Sequence, residues 1–409
     1  MTLDREIPQP PALAATLRKI TEGLARELAC PADLAPDWSG YEWRVARAVA
    51  AMHGVSPLLS RTLRWQGPAG WMQFLEQQRT HTANRHVRIA ELLCLIDQKA
   101  QKAGVAAIAL KGAALHALGL YQAGDRPMSD IDLLVRPADA EAACRMLVSL
   151  NYRESCETWK ERVFTPTDDH TSGELGEHSN NNVKIELHER ICEMLPLRIT
   201  DVSELVFPPQ PQPGLNAYPS RASLMAHLLL HAAGAMAFQA LRLLHLHDIA
   251  GLSSRMTEED WDAVLESRRQ VGRLWWAYPP LQLTSRYYPC KIPGRVLEAL
   301  ADDCPYLLAR ASRRQTLYDV SFSYLWVDAF PGIVWSRSVR EILVYAASRV
   351  SPGSKHIALR EHVAKTEAWA SRSQWSHLSQ GRRILRWVTS RPTRPLTMHA
   401  VRAALAQAQ

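Results

Sequence analysis

The sequence predicts a mixed α/β core set between two long helical regions, and three observations carry that expectation. A short apolar run at residues 105–110 ends in Lys111-Gly112 and passes into an alanine-rich helix. A second strand carries Asp130-Ile131-Asp132 and continues as Leu133, Leu134 and Val135. A third stretch, residues 183–188, alternates Val183, Ile185 and Leu187 with Lys184, Glu186 and His188. On either side of these, apolar residues recur at three- and four-residue spacing, the period of a helix with one buried face.

Taken in order, Leu13, Leu17, Ile20, Leu24 and Leu28 predict a helix over residues 12–29. Helical spacing returns at 41–53, 56–63 and 75–103, the last with Ile89, Leu92, Leu93 and Ile96 on its inner face. Gly104 then suits the left-handed position that closes a helix. The strand at 105–110 follows, then a helix over 113–120 and a polar loop over 121–129. After the strand at 130–135, Pro137 opens another helix, with Asp139 and Glu141 at its positive end. Beyond Asn151 the chain turns polar with little periodicity, through Asp168-Asp169-His170 and Asn180-Asn181-Asn182, until the alternating strand. The proline-rich segment 208–219 reads as a linker. Most of the rest reads as helix, with breaks at Pro279-Pro280, Pro352-Gly353 and 391–395. The expected organisation is therefore a helical region (1–103), a core (104–207), a linker (208–219) and a C-terminal helical region (220–409).

With 409 residues and 47% hydrophobic content, the chain is long enough for two or three domains. Its seven cysteines are scattered, without C-x-x-C spacing, which argues against a zinc site or a disulfide framework and fits a reducing cytoplasm. The first residues lack a basic stretch followed by an apolar one, so no secretory signal is expected. Residues 222–241 hold no formally charged side chain, yet His227, His231 and Gln239 favour a buried helix over a membrane span. The net charge of +7 is uneven: after residue 300, fourteen Arg and two Lys stand against seven acids, a balance of +9. Such a surface attracts polyanions. No nucleic-acid motif accompanies it, and Trp326, Trp335, Trp369, Trp375 and Trp387 sit among apolar residues as packing tryptophans do. The expectation is weak, sequence-independent nucleic-acid binding at most.

The chemistry concentrates in Asp130 and Asp132. Carboxylates two residues apart on a strand project from one face, and burying them unpaired is costly. A divalent metal carrying nucleotide phosphates is the simplest partner.

The order strand, Lys-Gly, helix, loop, Asp-x-Asp strand, helix, and later a strand with one acid resembles the nucleotidyltransferase fold of the DNA polymerase β type. It resembles more closely the bacterial uncharacterised nucleotidyltransferases of nucleotidyltransferase family 5. The residues that carry the likeness are Leu110-Lys111-Gly112-Ala113-Ala114-Leu115, the run from Arg126 through Ser129-Asp130-Ile131-Asp132 to Val135, Ile185-Glu186-Leu187-His188, Leu228-Leu229-Leu230-His231-Ala232-Ala233, and Asp248-Ile249-Ala250. They span roughly residues 40–255. In one respect the chain departs: Ala113 follows Gly112 where the superfamily usually has Gly or Ser.

The resemblance implies a polymerase-β-like core with a mixed sheet and a Mg²⁺- or Mn²⁺-dependent transfer of NMP from an NTP, ATP foremost. The acceptor would be a hydroxyl on a small molecule, a peptide or protein, or an RNA. Asp130, Asp132 and Glu186 would hold the metal, with Glu186 near the attacking hydroxyl. Gly112 would let phosphate approach helix N-terminal amides. Lys111 would contact phosphate or brace the acids. Ser129 and Arg126 flank the acid pair, and Arg126 would either meet the triphosphate or pair with Asp125 or Asp130. His188 shares the face of Glu186 and would orient an acid or touch substrate. His227 and His231 have the i, i+4 spacing of a zinc helix but lack its glutamate and third ligand, so they read as packing residues. His245, His247 and Asp248 read as structural. Asn at 130 or 132 should abolish transfer, and either variant should melt slightly higher without metal. Two other readings remain: a non-catalytic nucleotide- or partner-binding protein on the same scaffold, and a nucleic-acid-directed enzyme using the basic region.

Overall fold

The computed structural model describes residues 7–168, 175–353, 370 and 373–406. Asp169, His170 and Trp369 of the sequence reading lie outside them.

Four helices precede the sheet: α1 (Pro10–Ala29), α2 (Gly40–Met52), α3 (Ser56–Thr62) and α4 (Ala69–Ala103). Ser39 and Glu42 satisfy each other's backbone N–H groups and start α2 as a capping box. Gly104, at φ +68°, ends α4 as its position predicts.

The strands that follow are β1 (Ala106–Ala109), β2 (Asp130–Val135), β3 (Tyr152–Glu157), β4 (Arg162–Pro166), β5 (Lys184–His188), β6 (Cys192–Met194), β7 (Ile199–Asp201) and β8 (Gly214–Asn216). Helices α5 (Lys111–Ala117) and α6 (Ala140–Val148) lie between the first three strands, and a single turn, α7 (Ser203–Val206), follows β7. Six strands form one mixed sheet in the order β3-β4-β5-β2-β1-β8, while β6 and β7 pair separately. The fold is α+β, a mixed sheet flanked in sequence by helices, as the sequence predicts.

Period-2 alternation divides the sheet between two cores. Ile131, Leu133, Val135, Ile185 and Leu187 pack against Ile89, Ile96 and Ala100 of α4 and Ala143 and Leu147 of α6. Ile108, Leu110 and Leu134 face the other way, into a larger core built from α1, α2, α8 (Arg221–Ala237), α9 (Leu243–Ser253) and the helices beyond. Asp130 and Asp132 share the parity of Leu134, so they open toward the helices. Strand β5 runs parallel to β2, with Asp132 beside Glu186 and Leu134 beside His188.

Two regions differ from the sequence reading. The polar stretch after Asn151 holds the β3–β4 hairpin; β3 is an edge strand with Arg153, Glu154 and Ser155 exposed, so no apolar alternation announces it. The proline-rich segment contains β8, which pairs parallel with β1 and is fixed by the Leu215 N–H donating to Asp97 Oδ1 at 2.7 Å. Beyond Arg221, helix α8 is buried on nearly every side, which accounts for the lack of charge there. No helix among the described residues is long and apolar enough to cross a membrane. The last helix, Pro395–Ala406, returns to pack on α2, so residues before 103 and after 220 share one core.

Candidate active site

Between the acid-bearing face of the sheet and the helical wall lies a cavity of about 580 Å³. Strand β2, the tip of α5 and Glu186 form its floor; α8, the α8–α9 turn and the end of α2 form its walls.

Asp132 is the most constrained acid, only 6% exposed. Its Oδ1 accepts from Lys111 Nζ at 2.8 Å and from His188 Nε2 at 3.1 Å. Burial alone would raise this carboxyl, but Lys111 and His188 overcome it and hold Asp132 well below the usual range. In return Asp132 and Glu186 overcome the burial of Lys111 and keep its ammonium charged. Among the described residues, Asp130 accepts from Ser129 Oγ alone, at 3.2 Å, and burial together with the charge of Asp132 pushes its carboxyl up. Glu186 is pushed furthest, to about 9, first by burial and then by Asp130 and Asp132. Its Oε2 lies 4.0 Å from His188 Nε2.

The expected metal set was Asp130, Asp132 and Glu186. Among the described residues, the group whose donor atoms all lie within 4.8 Å of one another is Asp132, Glu186 and His188. Asp130 stands on the same face, two residues nearer the loop, outside that group. Asp132 is drawn toward Lys111 and His188, while Asp130 turns to Ser129.

The turn that presents Lys111 is strained. Lys111 has φ +45°, a left-handed conformation uncommon outside glycine. Its N–H donates to the Tyr218 hydroxyl at 3.4 Å, which in turn lies 2.7 Å from His227 Nδ1. Gly112 is required by a close approach: a Cβ there would stand 2.3 Å from Arg126 Nη1 and 2.8 Å from Met128 Sδ. Ala113 lines the cavity without a hydroxyl.

Arg126 pairs with neither Asp125 nor Asp130. Its Nε and Nη2 donate to the two oxygens of Asp248 at 2.9 and 2.7 Å, and Tyr121 donates to the same carboxylate at 2.7 Å. Asp248 therefore anchors this arginine, and Asp125 takes Arg61 instead. His231 and His245 line the cavity with rings 4.9 Å apart, and burial keeps both well below the ordinary imidazole range. Among the described residues, four charged side chains that line the cavity escaped the sequence reading: Lys160, Glu177, Glu193 and Arg242. Lys160 and Glu193 pair at 2.6 Å. None sits in a recognisable motif, and only the fold brings them to the acids.

A strand ending in Lys-Gly, and an Asp-x-Asp strand paired in parallel with a second acid-bearing strand beside a cavity, define a nucleotidyltransferase domain. Residues 39–289 match the family described as uncharacterised nucleotidyltransferases, and the chain belongs to that family. No curated protein and no solved structure matches it. Phe322 and Leu396, which also line the cavity, lie beyond the matched segment.

Proposed function

We propose that the protein is a divalent-metal-dependent nucleotidyltransferase that moves an NMP group from an NTP, ATP before the others, to a hydroxyl on a small molecule, a peptide or protein, or an RNA. One observation carries this reading. Asp130 and Glu186 face the cavity beside Asp132 with their carboxyls pushed up and, among the described residues, no Lys or Arg within salt-bridge distance. Oxygen donors that resist ionisation until a cation arrives fit Mg²⁺ or Mn²⁺.

Bound there, such an ion would neutralise phosphoryl charge and favour ionisation of the attacking hydroxyl. Asp130, Asp132 and Glu186 would hold it, with the imidazole of His188 beside them. Lys111 and His188 fix the Asp132 carboxylate, so one donor is oriented before any ligand enters. Gly112 lets the Arg126 and Met128 side chains pack close to the β1–α5 turn, and Ser129 orients Asp130. All seven cysteines are free, which fits a reducing cytoplasm as the place of the reaction. Trp335 is buried, so it offers no stacking surface, and the basic C-terminal region is assigned no more than weak, sequence-independent affinity for nucleic acid.

The test is transfer itself. Purified protein is incubated with each labelled NTP, Mg²⁺ or Mn²⁺ and cell extract, and both the labelled product and pyrophosphate are followed. Label should move to an acceptor with wild-type protein and not with Asp132→Asn. Nucleotide binding without transfer to any acceptor would favour the non-catalytic reading. Absence of metal-dependent nucleotide binding would overturn the proposal.

A further inference from the structure

Four cationic side chains line the cavity among the described residues: Lys111, Lys160, Arg126 and Arg242. Three are committed to acids. Lys111 holds Asp132 at 2.8 Å, Lys160 holds Glu193 at 2.6 Å, and Arg126 grips Asp248 with two donors. Arg242 is different: among the described residues, no carboxylate comes within 4.0 Å of its guanidinium. It lies instead over the ring of Phe322, 5.3 Å from the centroid. A guanidinium held over an aromatic ring can keep N–H donors available for a planar or tetrahedral anion.

The backbone around Arg242 is firmly placed. Leu241 donates to Val320 O at 3.1 Å and accepts from Phe322 N–H at 3.4 Å, so the arginine and its aromatic support rise from one short bridge. The Arg242 N–H donates to His245 Nδ1 at 3.4 Å as α9 begins. Its charge is felt on the sheet side, where it opposes the rise of the Asp130 and Glu177 carboxyls.

The cavity therefore keeps groups suited to a charged ligand at two places. Among the described residues, Asp130 and Glu186 have no Lys or Arg within 4.0 Å on the floor, and Arg242 has no carboxylate within that distance on the wall. Were they meant for each other, the side chains would close the gap, as Lys111 and Asp132 do. A ligand that fills the space must be positive toward the sheet and negative toward the α8–α9 turn. A divalent metal with a polyphosphate meets both demands at once.

We propose that Arg242, steadied by Phe322, is the side chain that grips the polyphosphate of the incoming nucleotide. The assignment rests on the nucleotidyltransferase reading above. It displaces Arg126, whose Nε and Nη2 donate to Asp248 and whose Nη1 donates to the Pro127 carbonyl.

The experiment is calorimetric titration of the full-length protein, with Mg²⁺, by ATP, by AMP and by inorganic tripolyphosphate, which carries no base. In R242Q, affinity for ATP and tripolyphosphate should fall about 10- to 100-fold, the loss of a charged, forked contact. AMP binding should stay close to wild type, as should the melting temperature without ligand. R242K keeps the charge but not the fork, and should lose roughly tenfold for both polyphosphates. It carries the test alone if R242Q does not fold. Equal polyphosphate affinity in wild type and in either variant overturns the assignment and leaves the nucleotidyltransferase reading standing. Equal losses for AMP and ATP overturn it as well, because they would reflect a general disturbance of the cavity. Wild-type protein that binds neither nucleotide nor tripolyphosphate overturns both.

Discussion

Replacing Glu186 with Gln should stabilise the metal-free protein, by an amount that grows with pH. The side chain is 23% exposed, and burial with the charges of Asp130 and Asp132 pushes its carboxyl up to about 9. In the unfolded chain a glutamate titrates near about 4.3. At neutral pH the folded protein thus holds a proton that the unfolded chain has released, and folding takes one up. The stability owed to protonated Glu186 is fully present below the unfolded value and is lost as pH rises through the folded one. One proton corresponds to about 1.36 kcal/mol per pH unit, so the wild type should lose up to about 4 kcal/mol between about pH 6 and about pH 9. Water entering the cavity lowers that ceiling.

Gln cannot ionise, so the variant lacks this slope. Urea denaturation in EDTA, repeated across that pH range, reads the difference directly; all other titrating groups are common to the two proteins. The gap in unfolding free energy should widen steadily toward alkaline pH. Saturating Mn²⁺ should flatten the wild-type slope, because a metal takes the ionised carboxylate, and should change the variant far less. Parallel wild-type and variant curves in EDTA would refute the placement of Glu186 beside the other acids.

The two aspartates should behave differently when neutralised. Both Asp130→Asn and Asp132→Asn should lower NTP turnover by about 10²- to 10⁴-fold. In thermal melts without metal, however, Asp132→Asn should fall, because Lys111 and His188 lose their anion, whereas Asp130→Asn should hold level or rise. Sequence reasoning expects a rise in both, and a rise in Asp132→Asn would count against the Lys111 pair. Arg126→Met should cost about 3–5 kcal/mol in chemical denaturation by leaving Asp248 buried and unpaired, with partial recovery in Arg126→Met/Asp248→Asn. Fluorescence anisotropy with duplex and single-stranded probes should give weak binding that falls steeply with salt. Tight, sequence-selective binding at physiological salt would overturn that expectation.

Where the signal is local, the sequence is explicit. The strand Asp130–Val135 occupies the residues its pattern marks, because two acids and four apolar residues settle both its face and its length. Gly104 ends its helix for a reason visible in one residue. The partner of Arg126 is a different matter, since Asp248 lies 122 residues away and only the packing of α9 against the loop brings it close. The sequence offers nearby Asp125 and Asp130, and both prove to have other neighbours. Arg242 is harder still: it reads as the flank of an apolar stretch, and its meaning depends on Phe322, which a separate bridge delivers. Strands β3 and β8 were invisible for a third reason. One is an exposed edge and the other sits among prolines, so neither carries the burial pattern that period-based reasoning detects.

The segment that defines the family is not a separate body in this protein. Its match ends at residue 289, but the core beneath it continues into Leu317, Tyr318, Leu325, Val401 and Leu405. The same later chain supplies Phe322 and Leu396 to the cavity and lays its last helix on α2, upstream of the sheet. Family membership thus accounts for the acid floor, which strands β2 and β5 build from two short motifs. The wall opposite is assembled from α2, from the α8–α9 turn and from residues beyond the match. Floor chemistry follows from a pattern of a few residues; the shape of what can lie against it follows from the whole chain.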